Sequence, residues 1–215
     1  MNRAQQMTHV TSGLLLLIAA ICGCQAQPHS PNALYGTNLP GSEAEFLSMG
    51  DAAVTMDAAR GPLERLDAIA GEWVIDTSYH PWKNAPPTSI RMISENKWIL
   101  RKRCLQCRYQ YNIPGEAIAD LYILSWNPLK EEYGIDLYSS GWPLPTGGTG
   151  TWDEDSQTIK FVMTTMNPST NQPITTLYCL SDIELNSHRW RQYRSGDNGE
   201  LIPIITMEAT RATSP

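Results

Sequence analysis

The sequence from Gly71 onward is a succession of short runs rich in Val, Ile, Thr, Tyr and Trp, and this feature constrains the fold most. Such runs, separated by Pro, Gly, Asn, Asp and Ser, predict strands joined by hairpins. No long helical pattern intervenes, so the expected fold is all-β: a single antiparallel up-and-down barrel, which leaves no open edge. The predicted strands are 72–78, 89–94, 98–105, 107–111, 119–126, 133–139, 148–152, 158–166, 174–183, 187–193 and 203–211.

A short helix is predicted immediately before the first strand. Leu63, Leu66 and Ile69 recur at three-residue spacing, which indicates a helix over 62–69. Gly71 follows and is placed to end that helix. The chain is therefore expected to pass from a helix directly into the barrel.

Two residues near the ends of the β region resemble a known superfamily. Gly71-Glu72-Trp73 places a Gly-x-Trp at the first strand, which is similar to the entry signature of lipocalin-like barrels. In that superfamily a late arginine commonly packs over the early tryptophan, and Arg211 closes the last predicted strand here. The resemblance implies a structural cation–π contact between Trp73 and Arg211 that seals the barrel floor, worth about 0.5–2 kcal/mol.

The middle of the chain extends this resemblance. The segments 124–133 (LSWNPLKEEY), 150–153 (GTWD) and 189–199 are similar to a family of bacterial lipocalin-like (calycin-type) proteins classed as a domain of unknown function. The similarity covers roughly residues 63–213. It implies a barrel able to enclose a cavity, and it carries no established activity.

The N-terminus has the pattern of an export signal. The apolar run 14–21 is shorter than the about 20 residues that cross a bilayer, and it fits a signal peptide. The segment 21–24 (ICGC) resembles the bacterial lipobox, whose last Cys takes a diacylglycerol. We therefore predict a lipoprotein signal peptide over 1–23 and lipidation of Cys24. The alternative is an ordinary signal peptide cleaved after Ala26.

Three regions follow from these signals: the signal peptide, a spacer over 24–62 and the lipocalin-like barrel over 63–215. The spacer is rich in Pro, Gly, Ser, Asn and Ala, which predicts a flexible tether with a short helix near 43–49. Acyl chains would hold the protein on a membrane of the cell envelope. Gln25, next to the lipid-bearing Cys, favours the outer membrane facing the periplasm over the inner membrane.

The charge balance excludes some partners. The chain has 16 basic and 22 acidic residues, a net charge of −6. Nucleic acid is not an expected partner, because phosphate binding needs a basic surface. The same balance argues against polybasic attachment to anionic lipid.

Motifs for catalysis are missing from the sequence. The His residues lack metal-ligand spacing such as His-x-x-x-His, and no Gly-x-Ser-x-Gly elbow occurs. The segment 147–150 (GGTG) lacks the Lys of a phosphate loop. We therefore predict no catalytic residue, no metal site and no cofactor. An enzyme acting on a small molecule inside the barrel remains the rival hypothesis.

Cys104 and Cys107 form a Cys-x-x-Cys pair between two predicted strands. We expect a disulfide across a tight turn in an oxidising compartment. The alternative is a redox pair in which neighbouring Arg and Lys side chains stabilise a thiolate. Cys179 is expected to stay unpaired and buried.

Strand parity identifies side chains that face the barrel interior, because alternate residues of a strand share a face. Aromatic and Met side chains form an adaptable apolar wall, or equally a solid core. The first case predicts an envelope protein that binds a small apolar or amphipathic ligand, and the second a structural envelope protein. The predicted ligand-binding residues are Tyr122, Phe161, Met163, Trp190 and Met207.

Overall fold

The chain divides into two units, residues 1–51 and 52–215. In the first unit, residues 43–45 and 47–49 are helical. The predicted signal peptide and Cys24 lie outside the described residues. No helix in the described part of the chain has the length and apolar character needed to cross a bilayer. The computed structural model describes residues 42–45, 47–49, 61–80, 86–196 and 198–213.

In the described part of the second unit, a short helical entry precedes ten strands. The entry consists of helix α1 (Gly61–Glu64) and a 3₁₀ turn (Asp67–Ile69). The strands are β1 (Gly71–Tyr79), β2 (Thr88–Ile99), β3 (Cys104–Ile113), β4 (Glu116–Asn127), β5 (Glu132–Ser139), β6 (Trp142–Asp153), β7 (Thr158–Met166), β8 (Pro173–Ser181), β9 (Ser187–Ser195) and β10 (Leu201–Arg211).

The ten strands form a closed antiparallel barrel. Each strand pairs with its neighbours in sequence, and β10 returns to pair with β1. In this closing pair Trp73 lies opposite Arg211, and Tyr79 lies opposite Ile205. The predicted all-β up-and-down barrel, preceded by a short helix, is therefore confirmed.

The boundary between β2 and β3 differs from the prediction. We expected a break before residue 98 and a strand over 98–105, but β2 continues to Ile99 and a second 3₁₀ turn (Leu100–Lys102) follows. All three residues of this turn have positive φ, between 48° and 65°. The turn contains no Gly, Asn or Asp, the residues that adopt such backbone most readily, so the sequence did not indicate a turn here. The structure has ten strands where eleven were predicted.

Large side chains fill the barrel at the end where the chain enters. Leu63, Leu66 and Ile69 of the helical entry are buried and pack against the interior side chains of the strands. The entry thus forms the floor of the barrel. The largest fully buried side chains are Trp73, Tyr133, Phe161, Leu66, Ile69, Ile75, Leu105, Leu124, Ile135, Ile159, Met163 and Leu180.

Arg211 joins the end of β10 to this floor. Its Nη1 donates to the carbonyl of Ala70 at 3.1 Å, and its Nη2 donates to the carbonyl of Ala68 at 2.8 Å. Its Nε donates to the carbonyl of Leu185 at 2.6 Å. The guanidinium carbon lies 4.3 Å from the ring centroid of Trp73. One side chain thereby satisfies carbonyls at the end of the helical entry and covers the buried indole.

The carbonyl of Ile69 is a second attachment point for the floor. The indole Nε1 of Trp73 donates to it at 2.9 Å, and Nδ2 of Asn96 donates to it at 2.8 Å. Asn96 is itself held by Ser94, whose Oγ donates to Oδ1 of Asn96 at 2.6 Å. These buried polar groups are paired, and β1 and β2 are both tied to the helical entry.

Gly71 has a position that only glycine fits. Its φ is +126°, and a Cβ at this position would lie 2.4 Å from Nη1 of Arg211. The Gly of the Gly-x-Trp signature therefore leaves room for the guanidinium above the Trp two residues later.

His188 lies beside Trp73 in the floor and is 1% exposed. The two rings meet edge to face with centroids 4.4 Å apart. Both ring nitrogens are buried without a hydrogen-bond partner among the described residues. Burial, reinforced by the charge of Arg211, lowers the pKa of His188 to about 4.

Replacing Gly71 with Ala tests the contact with Arg211. We expect Gly71→Ala to lower the free energy of unfolding by about 2–4 kcal/mol, because it adds backbone strain and displaces a charged hydrogen bond. Gly115→Ala is the matched control: Gly115 also has a positive φ, +89°, but no atom lies near its missing Cβ. The free energy of unfolding of Gly115→Ala, measured by urea denaturation, should fall by only about 1 kcal/mol. An equal loss for both variants, or an undiminished Gly71→Ala effect in an Arg211→Ala background, would contradict this account.

The buried His188 should make the protein sensitive to acid. Its folded pKa of about 4 lies below the ordinary value of 6.5, so the unfolded state binds more protons between these values. The free energy of unfolding should therefore fall as the pH drops from 7 to 4, by about 3 kcal/mol from this group. His188→Phe keeps an aromatic ring beside Trp73 and should flatten this part of the profile. Denaturation midpoints of the wild type and of His188→Phe, measured at several pH values, check this prediction. If stability falls equally with pH in both proteins, His188 does not change its protonation on unfolding.

Candidate ligand cavity

The barrel is hollow at the end opposite the helical floor. The cavity there has a volume of about 340 Å³, which is in the range of small-molecule binding sites. It is formed by the ends of β1, β3 and β5 and the beginnings of β2, β4 and β6, together with β10. The lining residues are Thr77, Tyr79, Ile90, Met92, Tyr109, Tyr111, Ile113, Ile118, Asp120, Tyr122, Ser139, Gly141, Trp142, Ile205 and Met207.

Short inward side chains on two strands contribute to the hollow at the open end. Near the floor the interior positions carry Trp73, Tyr133 and Phe161, each at most 1% exposed. Near the open end, β1 instead contributes Thr77 and β5 contributes Ser139 to the cavity lining. Shorter side chains on the same inward face leave the space that the larger ones fill below.

Tyrosine rings form much of the cavity wall. Tyr79, Tyr109, Tyr111 and Tyr122 all line it. Tyr109 and Tyr122 pack edge to face with centroids 5.1 Å apart, which fixes these two rings against each other. Burial raises the pKa of both phenols, so they are uncharged at neutral pH. Tyr122 also lies 6.3 Å from Trp190, centroid to centroid, at the boundary between cavity and core.

Asp120 is the one acidic side chain among the described residues that line the cavity, and no basic side chain accompanies it there. Its Oδ2 accepts a hydrogen bond from the hydroxyl of Tyr111 at 3.2 Å. Its Oδ1 is buried and has no hydrogen-bond partner in the described part of the chain. Burial raises the pKa of the Asp120 carboxyl, while the hydroxyls of Ser139 and Tyr111 lower it. Ser139 lies opposite Asp120 in the β4–β5 register, and its hydroxyl is near the carboxyl without meeting the geometry of a hydrogen bond to Oδ1.

The structure separates the five predicted ligand-binding residues into two groups. Tyr122 and Met207 line the cavity. Phe161, Met163 and Trp190 lie in the solid core and are 0–2% exposed, with the ring of Phe161 stacked on that of Trp190 at 6.0 Å. All five side chains face inward. The predicted cavity wall is found at the open end of the barrel, and the predicted solid core is found near the floor.

Sequence reasoning did not single out Asp120 or three of the lining tyrosines, Tyr79, Tyr109 and Tyr111. The sequence did contain a signal for Asp120, because it lies two residues before Tyr122 in a predicted strand and therefore shares its inward face. A carboxylate at an inward position needs a partner or a function, so this parity could have identified it.

The predicted disulfide between Cys104 and Cys107 is wrong. Both residues belong to the uninterrupted strand β3, and the turn expected between them lies before it. Three residues of extended strand span about 10 Å, beyond the about 7 Å between Cα atoms that a disulfide allows. Both thiols are free, as is that of Cys179. Burial raises the pKa of all three, which also argues against an activated redox thiolate.

The searched part of the chain, which comprises the described residues, contains no group of three or more His, Cys, Asp or Glu placed to hold a metal ion. The polar groups of the described cavity lining are Asp120, the Tyr hydroxyls, the hydroxyls of Thr77 and Ser139, and the indole of Trp142.

The closed ten-stranded barrel, its helical floor with a Trp–Arg contact and its hollow open end define a lipocalin-like barrel protein. The chain belongs to the family described as Protein of unknown function (DUF1579), whose profile matches residues 60–211. The predicted resemblance to a lipocalin-like family of unknown function is confirmed.

Solved structures of other proteins are similar to this chain. The S-type phycobiliprotein lyase CPES from Guillardia theta is 12% identical, with 71% of this chain and 93% of that chain covered and a TM-score of 0.49. Rv2717c from M. tuberculosis is 11% identical, with 71% and 98% covered and a TM-score of 0.51. At such identity the second likeness concerns the fold alone. The comparison with curated proteins finds no match.

Proposed function

We propose that this protein is an exported, lipid-anchored protein of the cell envelope whose barrel binds a small apolar or amphipathic molecule. The observation that carries the binding function is the cavity of about 340 Å³ at the open end. A solid core supports it from below, so the space does not result from a loosely packed barrel. Its wall combines apolar and aromatic side chains with a few polar groups, as in small-molecule sites.

The polar groups of the cavity favour binding over catalysis. Tyr111 and Asp120 are the titratable pair that meets there, joined by a hydrogen bond. Burial raises the pKa of the Tyr111 phenol, which therefore stays protonated at neutral pH and acts as a donor. General acid–base catalysis works best with groups that titrate near the working pH. Tyr111 is therefore better suited to orienting a ligand than to moving a proton.

The location rests on the N-terminal sequence. The apolar run 14–21 and the lipobox-like segment 21–24 support export and lipidation at Cys24. Lipid chains at Cys24, followed by the spacer, would hold the barrel at a membrane surface. The outer membrane, facing the periplasm, is the proposed site, because Gln25 follows the lipid-bearing residue.

Cavity binding can be tested with N-phenyl-1-naphthylamine, an uncharged amphipathic dye that fluoresces more strongly in apolar surroundings. We expect the wild type to bind one molecule. Ile205→Trp should weaken binding about tenfold or more, because the larger ring enters the cavity and overpacks it. Thr206→Trp is the matched control, since the next residue of β10 faces the other side. Absence of dye binding, or equal effects of the two substitutions, would favour a structural protein without a ligand.

The anchor can be tested by radiolabelled palmitate and cell fractionation. Cys24→Ala should abolish labelling and release the protein from membranes, because it removes the thiol that carries the lipid. Cys22→Ala is the control: it also removes one Cys, but leaves a small residue before Gly23 and should keep both label and membrane association. A mature wild-type N-terminus at Gln27 would instead support an ordinary signal peptide cleaved after Ala26.

A further inference from the structure

We infer that the cavity selects a small amphipathic molecule with a protonated amine, whose N–H group donates to Oδ1 of Asp120. This inference rests on the proposed binding function and names the chemical class of its ligand. It arises from the juxtaposition of one half-satisfied carboxylate with a wall of tyrosine rings.

The hydrogen bonding of Asp120 leaves one position for a donor. Oδ2 accepts from Tyr111, whereas no group among the described residues, the nearby Ser139 hydroxyl included, donates to the buried Oδ1 with hydrogen-bond geometry. A buried acceptor that lacks a donor costs free energy, and a carboxylate more than a neutral group. A ligand that brings a donor into the cavity removes this cost. A ligand that is only apolar leaves the cost in place.

The charge of the cavity lining indicates which charge the donor group of the ligand should carry. The described lining residues include one carboxylate and no Lys, Arg or His. An anionic ligand would therefore meet a like charge and find no cation to balance its own. A protonated amine offers both a positive charge and N–H donors, and charged hydrogen bonds are about twice as strong as neutral ones.

The aromatic wall supports the same choice. The faces of aromatic rings attract cations, and Tyr111 presents its ring in the lining next to the carboxylate it bonds. Tyr109 and Tyr122, held edge to face, provide a rigid surface close by. Met92, Ile205 and Met207 complete the lining on β2 and β10 and suit the apolar part of the molecule.

Displacement of N-phenyl-1-naphthylamine by three eight-carbon compounds tests the inference at pH 7. Octylammonium, octanol and octanoate share an alkyl chain and differ in charge. We expect octylammonium to displace the dye from the wild type at a concentration at least about tenfold lower than octanol, with octanoate the weakest. In Asp120→Asn the advantage of octylammonium over octanol should disappear.

Asp136→Asn is the matched control. Asp136 is an exposed residue of the neighbouring strand β5 and faces outward, so this variant changes the net charge equally and should keep the preference. Tyr111→Phe supplies an independent check. It removes the hydroxyl that donates to Oδ2 of Asp120, so both oxygens of the carboxylate then lack a donor among the described residues. It should strengthen octylammonium binding more than octanol binding, because charged hydrogen bonds are the stronger ones.

The outcomes separate this inference from the proposed function. A wild type that does not bind the dye overturns both. A wild type that binds the dye but does not prefer octylammonium overturns the amine specificity alone. So does a preference that survives in Asp120→Asn or is lost in Asp136→Asn. If Asp120→Asn fails to fold, weaker octylammonium binding by Tyr111→Phe overturns it.

Discussion

The guanidinium of Arg211 is the interaction on which the barrel floor depends. It donates to three backbone carbonyls and covers the ring of Trp73, so it joins the last strand, the first strand and the helical entry at one point. Gly71 leaves the space it occupies. Because this end is sealed by a paired, buried network, the other end can stay hollow without loss of a defined core.

The division between floor and cavity also separates two kinds of polar group. Buried polar side chains in the floor, such as Asn96 and the indole of Trp73, have partners. Among the described residues, His188 and the indoles of Trp152 and Trp190 are exceptions in the filled part of the barrel. The low pKa of His188 keeps it neutral beside a cation. In the cavity Asp120 has a donor on one oxygen only. Polar groups of the floor thus serve stability, whereas the carboxylate of the cavity is available for recognition.

The fold was largely predictable from the sequence, and the cavity was not. Period-two alternation and turn residues identify the strands, and Trp73 with Arg211 identifies how the barrel closes. The turn Leu100–Lys102 was missed because its left-handed backbone is built without Gly or Asn. Parity shows that Tyr122 and Phe161 both face inward, but not their depth along the barrel, which depends on register and on the neighbours of each side chain.

The pairing of β1 with β10 has a consequence for the order of folding. The other nine pairings join strands adjacent in sequence, whereas this one brings together residues about 140 positions apart. Closing a loop of that length costs about 4 kcal/mol of chain entropy, far more than a hairpin does. Adjacent hairpins can therefore assemble first as an open, curved sheet, and closure comes last. Ile205 and Met207 lie on β10, so the pocket acquires its final wall only in that closing step.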